Sequence, residues 1–254
     1  MKPAPTALLA VDVGNTSVHF ALREKGVWRS HYRVSTRTPD AALRRLLSKR
    51  FRNLRGVPAA IASVVPAKSG ILKGHLKRLG LRAYLIGKDL PVPIRNLYRR
   101  PKQVGVDRLL NALGAYRRYR REAIVIDFGT AITFDVVGKK GDYLGGVIAP
   151  GIEISLEALF QKTAMLPRIR LAHPRHWIGK DTVESIRVGC SVGIGGLCDR
   201  TVEAISKKYH LRPVVVATGG YAHFMKRYCR SVRHIAPDLL LEGILATLRS
   251  RLTK

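Results

Sequence analysis

The chain has 254 residues, is 46% hydrophobic and has a mean hydropathy of −0.02. A chain of this length and composition buries a sizeable core without disulfides or metal, which excludes disordered, collagen-like and low-complexity classes. Its 46 Lys and Arg against 17 Asp and Glu give a net charge of +29, which bears on solubility, steering and partners rather than on fold.

No apolar run reaches membrane-spanning length. The first apolar run, Ala7 to Val11, is broken by Asp12 with no small-residue cleavage site after it, which argues against a secretory signal. Leu8 to Leu22 (LLAVDVGNTSVHFAL) reads as a strand, a tight turn and a second strand. Basic residues follow in clusters, and many sit within helix-like apolar periods such as Leu43, Leu46 and Leu47. Scattered in this way they read as a solvated surface. They leave room for nucleic-acid association, but not as the main function, because no stacking-aromatic signature, helix-turn-helix or zinc finger accompanies them. An anionic substrate such as a nucleotide would benefit from the same charge. Asp107 directly precedes the helical pattern Leu109, Leu110, Leu113, Tyr116 and reads as a helix start.

Ile124 to Val137 (IVIDFGTAITFDVV) repeats the first motif, its Asp127 lying 115 residues after Asp12. The segment GGVIAPG, with Gly145, Gly146, Pro150 and Gly151, reads as a strand entering a helix over 152–160. Gly151 there suits either an anion-facing helix start or a tight connection. Pro167 to Asp181 reads as a surface loop that could serve as a lid, with Trp177 as its anchor. His173 and His176 lack an acidic or cysteine companion, which disfavours a metal site. Cys190, Cys198 and Cys229 have no CxxC spacing; they suit a reducing cytoplasm, and Cys190 and Cys198 suit packing positions. Val214 to Gly220 (VVVATGG) is a strand ending in a glycine pair, and Leu239, Leu240, Leu241, Ile244 and Leu245 form the apolar face of a last helix that could cross back.

Two strand–DxG–strand motifs at half-chain spacing imply an internal duplication. The expected class is α/β, with one domain over 1–115, a second over 116–254 and a boundary within 116–121. The chemistry of such a turn is phosphate binding. Backbone N–H groups and Ser or Thr hydroxyls cradle phosphate oxygens, and the carboxylate holds a cation. A single copy would be read as a plain hairpin with an Asx turn.

Taken together, DVGNT (Asp12–Thr16), NLYRRPKQVGVDR (Asn96–Arg108), DFGTAITFD (Asp127–Asp135), GGVIAPG, GKDTVESIRVG (Gly179–Gly189), VVVATGG and HIAPDLLLEGI (His234–Ile244) resemble the type III pantothenate kinases of the acetate and sugar kinase/actin superfamily. The resemblance runs the length of the chain. The pairing of GVDR with DFGTAIT is its most specific part. Asp181, where the family more often has Asn, departs from the pattern, as does the net charge of +29.

The resemblance implies two ribonuclease-H-like domains with an ATP cleft between them, and transfer of the ATP γ-phosphoryl group to pantothenate. It also implies a homodimer that needs Mg²⁺ and a monovalent cation, K⁺ or NH₄⁺; a cytoplasmic location is expected from the cysteines. Asp107 is expected as general base. Asp12, Val13, Gly14, Asn15, Thr16, Ser17, Thr130, Gly219 and Gly220 are expected around ATP, with Asp12 holding Mg²⁺ through water. Asp127 is expected to hold the monovalent cation. Tyr98, Gly105, Val106, Asp107, Arg108 and Thr182 are expected around pantothenate, with Arg108 pairing with its carboxylate. Without the motif, Asp107 would be read as a helix cap, Arg108 as a surface arginine and Tyr98 as a packing aromatic.

Overall fold

The structure, a computed structural model, describes residues 7–252. The chain divides into two compact units, one formed by residues 1–114 with 239–254 and one by 115–238.

Unit 1 opens with the strands β1 (Ala7–Val13), β2 (Ser17–Glu24) and β3 (Val27–Ser35). The helix α1 (Asp40–Phe51), strand β4 (Pro58–Ser63), helix α2 (Pro66–Arg78) and strand β5 (Arg82–Leu85) follow. The sheet order is β3-β2-β1-β4-β5, with β1, β2 and β3 antiparallel and β1, β4 and β5 parallel. Alternation along β1 sends Leu9, Val11 and Val13 into a core with Leu43 and Leu47 of α1 and Leu72 and Leu76 of α2. Leu8 and Ala10 face the other way. They pack with Leu110 of α3 (Val106–Tyr119) and with Leu241, Ile244 and Leu248 of α8 (Leu239–Leu252). Asp12 continues that second row, so the alternation that builds the core also puts a carboxylate on the face that α3 covers.

Unit 2 repeats the plan. Its strands are β6 (Ala123–Phe128), β7 (Ala131–Val137), β8 (Tyr143–Pro150), β9 (Val214–Thr218) and β10 (His234–Ile235). Their order, β8-β7-β6-β9-β10, matches the first sheet strand for strand. This is the duplicated ribonuclease-H-like arrangement, two α/β units each built on three antiparallel and two further parallel strands. The helices are α4 (Ile152–Lys162), α5 (Thr182–Val188), α6 (Ile194–Lys208) and α7 (Ala222–Met225). A π-helical turn over Gly189–Gly193 joins α5 to α6, a feature the glycine-rich sequence did not announce. Ile124, Ile126 and Phe128 share a core with Val202, Met225 and all three cysteines. Each cysteine is buried and free.

The units differ from a division at residue 115 in one respect. The last helix belongs to unit 1, because its apolar face fills the side of the first sheet that α3 leaves open. No helix among the described residues is long and apolar enough to cross a membrane.

Candidate active site

In unit 1 the first hairpin ends its β1 strand with Asp12, paired across to His19 of β2 and beside Ala62 of β4. The turn is held from outside. Gly14 N–H donates to Ser17 O (3.0 Å), Thr36 Oγ1 donates to Gly14 O (2.7 Å), and Thr36 N–H donates to Thr16 O (3.0 Å). Asn15 and Thr16 are exposed at its tip. Gly14 has no positive φ, and a Cβ there would come no nearer than 3.4 Å to Ser17 O, an ordinary contact. The protein's own packing therefore does not demand glycine at 14.

Asp107 lies in the first turn of α3, whose Leu110 packs on the Asp12 face of the sheet. Its carboxylate folds back over the preceding backbone, so that a Cβ on Gly105 would stand 2.4 Å from Asp107 Oδ1 and 3.7 Å from Val64 Cγ1. Val64 in turn donates its N–H to Val13 O (3.1 Å), at the end of β1. A side chain at 105 would therefore displace the tip of the Asp107 side chain, and Val64, beside Gly105, ties this stretch to the end of β1. Burial pushes the Asp107 carboxyl above the ordinary carboxylate range, against the opposing pull of the Arg108 N–H and guanidinium. That N–H donates to Asp107 Oδ1 at 2.9 Å. Arg108 is only 7% exposed, so it is a buried cation rather than one more surface arginine. Val106 and Tyr98 are half-buried, and Asn96 shapes the loop before them, Oδ1 accepting from Tyr98 N–H (3.0 Å).

In unit 2, Asp127 is flanked by Thr133 and Thr218 on neighbouring strands. Two motifs far apart in sequence meet at its carboxylate. Gly219, at φ +89°, lies where a Cβ would be 2.3 Å from Asp127 Oδ1 and 2.7 Å from Phe128 O. A Cβ on Gly129 would be 3.3 Å from the same Oδ1. Only glycine fits at 219, on both conformational and steric grounds. Gly220, next in the chain, has open space where a Cβ would be. Thr130 is exposed, and its carbonyl and that of Gly129 crowd Gly151, so Gly151 serves as a tight connection. Carboxylate and carbonyl oxygens thus gather at the β6–β7 turn, a donor chemistry that suits a hard cation. Asp12, with the Thr16 and Ser17 hydroxyls beside it, offers oxygen donors of the same kind in unit 1.

Thr182 is the exposed first residue of α5 and borders a cavity of about 890 Å³ with Ser155, Leu159, Lys162 and Cys190. Asp181 caps α5 by accepting from Glu184 N–H (2.7 Å), a role that Asn would fill equally. Trp177 is 71% exposed, so the expected anchor of the 167–181 loop is not Trp177. His173 does that work, stacked on Phe224 at 4.3 Å and bonded to the Tyr228 hydroxyl at 2.7 Å.

Sequence reasoning missed several residues at these turns. Thr36 braces the first turn. Its only signal is a hydroxyl just past the third strand. His19 stands opposite Asp12 and, through burial followed by the charges of Arg33 and His31, is driven down to about 4, so it is neutral at physiological pH. Tyr221 follows the TGG motif and donates to Glu153 Oε1 (2.6 Å) in the first turn of α4; burial first, then that bond, pushes its hydroxyl up to about 12.

Residues 8–204 match the type III pantothenate kinase family. The chain is 38% identical over 247 residues to the type III pantothenate kinase of Syntrophotalea carbinolica, covering 93% of this chain and 96% of that one. It is 40% identical over 245 residues to the enzyme of Anaeromyxobacter sp. strain K, with the same coverage. Among solved structures, a putative 2-dehydro-3-deoxygalactonokinase from Sinorhizobium meliloti superposes with a TM-score of 0.62 at 12% identity, over 96% of this chain and 99% of that one. MreB5 of Spiroplasma citri bound to AMPPNP superposes at 0.54 and 13%, over 99% and 97%. Those two likenesses speak for the actin-like fold alone. With whole-length identity of this order and the seven motifs in sequence order, the chain belongs to the type III pantothenate kinase family.

Proposed function

We propose that this chain phosphorylates pantothenate at its primary hydroxyl with ATP, the first step of coenzyme A synthesis, and that Asp107 is the general base. The observation that carries the assignment of the base is its carboxylate, held by burial above the ordinary range and seated against Gly105 beside the end of β1. Phosphoryl transfer depends on positioning and charge neutralisation. Asp107 orients the acceptor hydroxyl and takes its proton as that oxygen bonds to the γ-phosphorus and the bond to the ADP oxygen breaks.

Asp12, Val13, Gly14, Asn15, Thr16 and Ser17 receive the phosphates, with Thr130, Gly219 and Gly220 contributing from unit 2. The openness at Gly14 and Gly220 supports this reading, since bare backbone there admits a ligand. Tyr98, Gly105, Val106, Arg108 and Thr182 belong to the pantothenate side, Arg108 as partner of its carboxylate. Asp12 would hold Mg²⁺ through water, and Asp127 with turn carbonyls would hold K⁺ or NH₄⁺. When bound, these cations neutralise the phosphate oxygens. A homodimer fits the exposed Leu144, Val147 and Ile148 on the edge strand β8.

The direct test is ADP release from ATP and Mg²⁺ with and without pantothenate, in K⁺ and in Na⁺. Release that needs both pantothenate and K⁺ is expected, and Asp127→Ala should abolish the K⁺ stimulation. Turnover indifferent to pantothenate would reject the assignment, and an unchanged K⁺ response in the variant would reject the role of Asp127.

A further inference from the structure

The charge is not evenly placed. Unit 1 holds 26 of the 46 Lys and Arg but only 6 of the 17 Asp and Glu. Within it, residues 41–88 contain 12 Lys and Arg and no Asp or Glu. The two carboxylates that bracket this stretch are engaged, Asp40 with Lys68 (2.9 Å) and Asp89 with Lys73 (2.6 Å). The other ten cations have no carboxylate within the segment.

The cations of α1 and α2 share a surface. α1 and α2 pack side by side on the sheet face away from α3 and α8. The turns that follow them are stitched together, Gly56 N–H to Gly80 O at 2.8 Å and Arg82 Nε to Gly56 O at 3.0 Å. Arg44, Arg45, Lys49, Arg52 and Lys77 are all exposed on this layer. Its potential is felt inside: burial, Arg78 and Arg44 together lower the affinity of His75 for a proton, with Asp40 only partly opposing them. Helix C-termini favour cations and account for Lys49 and Lys77. They do not account for Arg44 and Arg45 in the middle of α1, or for the missing acids.

We propose that the α1–α2 face is a docking surface for the phosphodiester backbone of duplex nucleic acid, read without regard to sequence. Arginine dominates the face, and its planar fork matches phosphate oxygens. None of the exposed large apolar side chains falls within 41–88, which leaves nothing to insert into a bilayer or to stack on unpaired bases. Two helices of 12 and 13 residues present the cations over a length that spans several phosphates.

The test is fluorescence anisotropy of a labelled random-sequence duplex of about 20 base pairs with the full chain, from about 50 to about 200 mM KCl. Affinity should fall about 10²-fold or more over that range, as expected when about four or more phosphates are neutralised. The variant Arg45→Glu/Lys49→Glu/Arg52→Glu/Lys77→Glu should bind at least about tenfold more weakly with a shallower salt slope. Its pantothenate-dependent ADP release should be unchanged. Lys139→Glu/Lys140→Glu/Lys207→Glu/Lys208→Glu alters the net charge equally on exposed positions of unit 2 and should leave affinity nearly intact. Should the first variant melt early, Lys49→Glu/Lys77→Glu is read in its place. Equal weakening by both four-site variants would reduce the effect to net charge and overturn the proposal. So would no duplex binding at about 50 mM salt, or binding to phosphatidylserine vesicles in preference to the duplex.

Discussion

Asp107 carries the residue-scale argument, because one carboxylate links backbone geometry, protonation and chemistry. Asp107→Asn should lower kcat by about 10²–10⁴ while ATP binding, read by calorimetry, persists. Near-normal turnover would dismiss the base. The sign of its protonation gives a second handle. A base must be ionised, and burial raises this carboxyl. The acid limb of the kcat profile should therefore lie above the ordinary aspartate range. For stability the same shift runs the other way: the protonated form is favoured in the folded state, so stability falls as pH rises through the folded value. Asp107→Asn should flatten that part of the Tm-against-pH curve, and a curve parallel to wild type would show that the group is not perturbed. Gly14 gives a cleaner separation of fold from function. With no clash and no positive φ, Gly14→Ala should leave stability unchanged or raise it by about 0.4–1 kcal/mol. If Gly14 lies in the proposed phosphate site, the ATP KM should rise at least about tenfold, since a methyl group would stand against the phosphates. An unchanged KM would remove Gly14 from the phosphate site.

At the scale of elements, both DxG hairpins and the β9 strand with its TGG end were legible from apolar runs and turn residues. The contacts that make them sites were not. Gly219 meets Asp127 because β9 runs parallel to β6, a pairing between segments about 90 residues apart that no local pattern encodes. Gly219→Ala should therefore be costly in its own right, losing about 1–3 kcal/mol in chemical denaturation as Asp127 and Phe128 give way. If Gly219→Ala unfolds at the wild-type denaturant midpoint, the packing of the TGG turn on the DFG turn is wrong. Trp177 was misjudged for a related reason. An aromatic in a polar loop suggests an anchor, yet the stacking partner of the loop, Phe224, lies on α7 and selects His173 instead. The π-helical turn at Gly189–Gly193 was invisible because its glycines fit several helical geometries equally.

At the scale of the whole molecule, α8 shows how the ends of the chain cooperate. Its Leu241, Ile244 and Leu248 cover Leu8, Ala10 and Ala60, so unit 1 is closed by residues far from it in sequence. Ile244→Ala should cost about 2–5 kcal/mol, and a loss well below that in urea unfolding would show that the helix is dispensable to that core. The sequence by itself determined the α/β class, the duplication, the order of the motifs, the family and the candidate carboxylates. The first three follow from local periodicity and turn chemistry; the family, and Asp107 as a base rather than a helix cap, follow from the resemblance of the motifs. Tertiary structure alone decided that Arg108 is buried, that Gly105 leaves its side-chain space to Asp107, that Gly219 adjoins Asp127, and which core the returning α8 fills. Each of those depends on which faces of strands and helices meet, and burial is a property of the packed pair rather than of either segment.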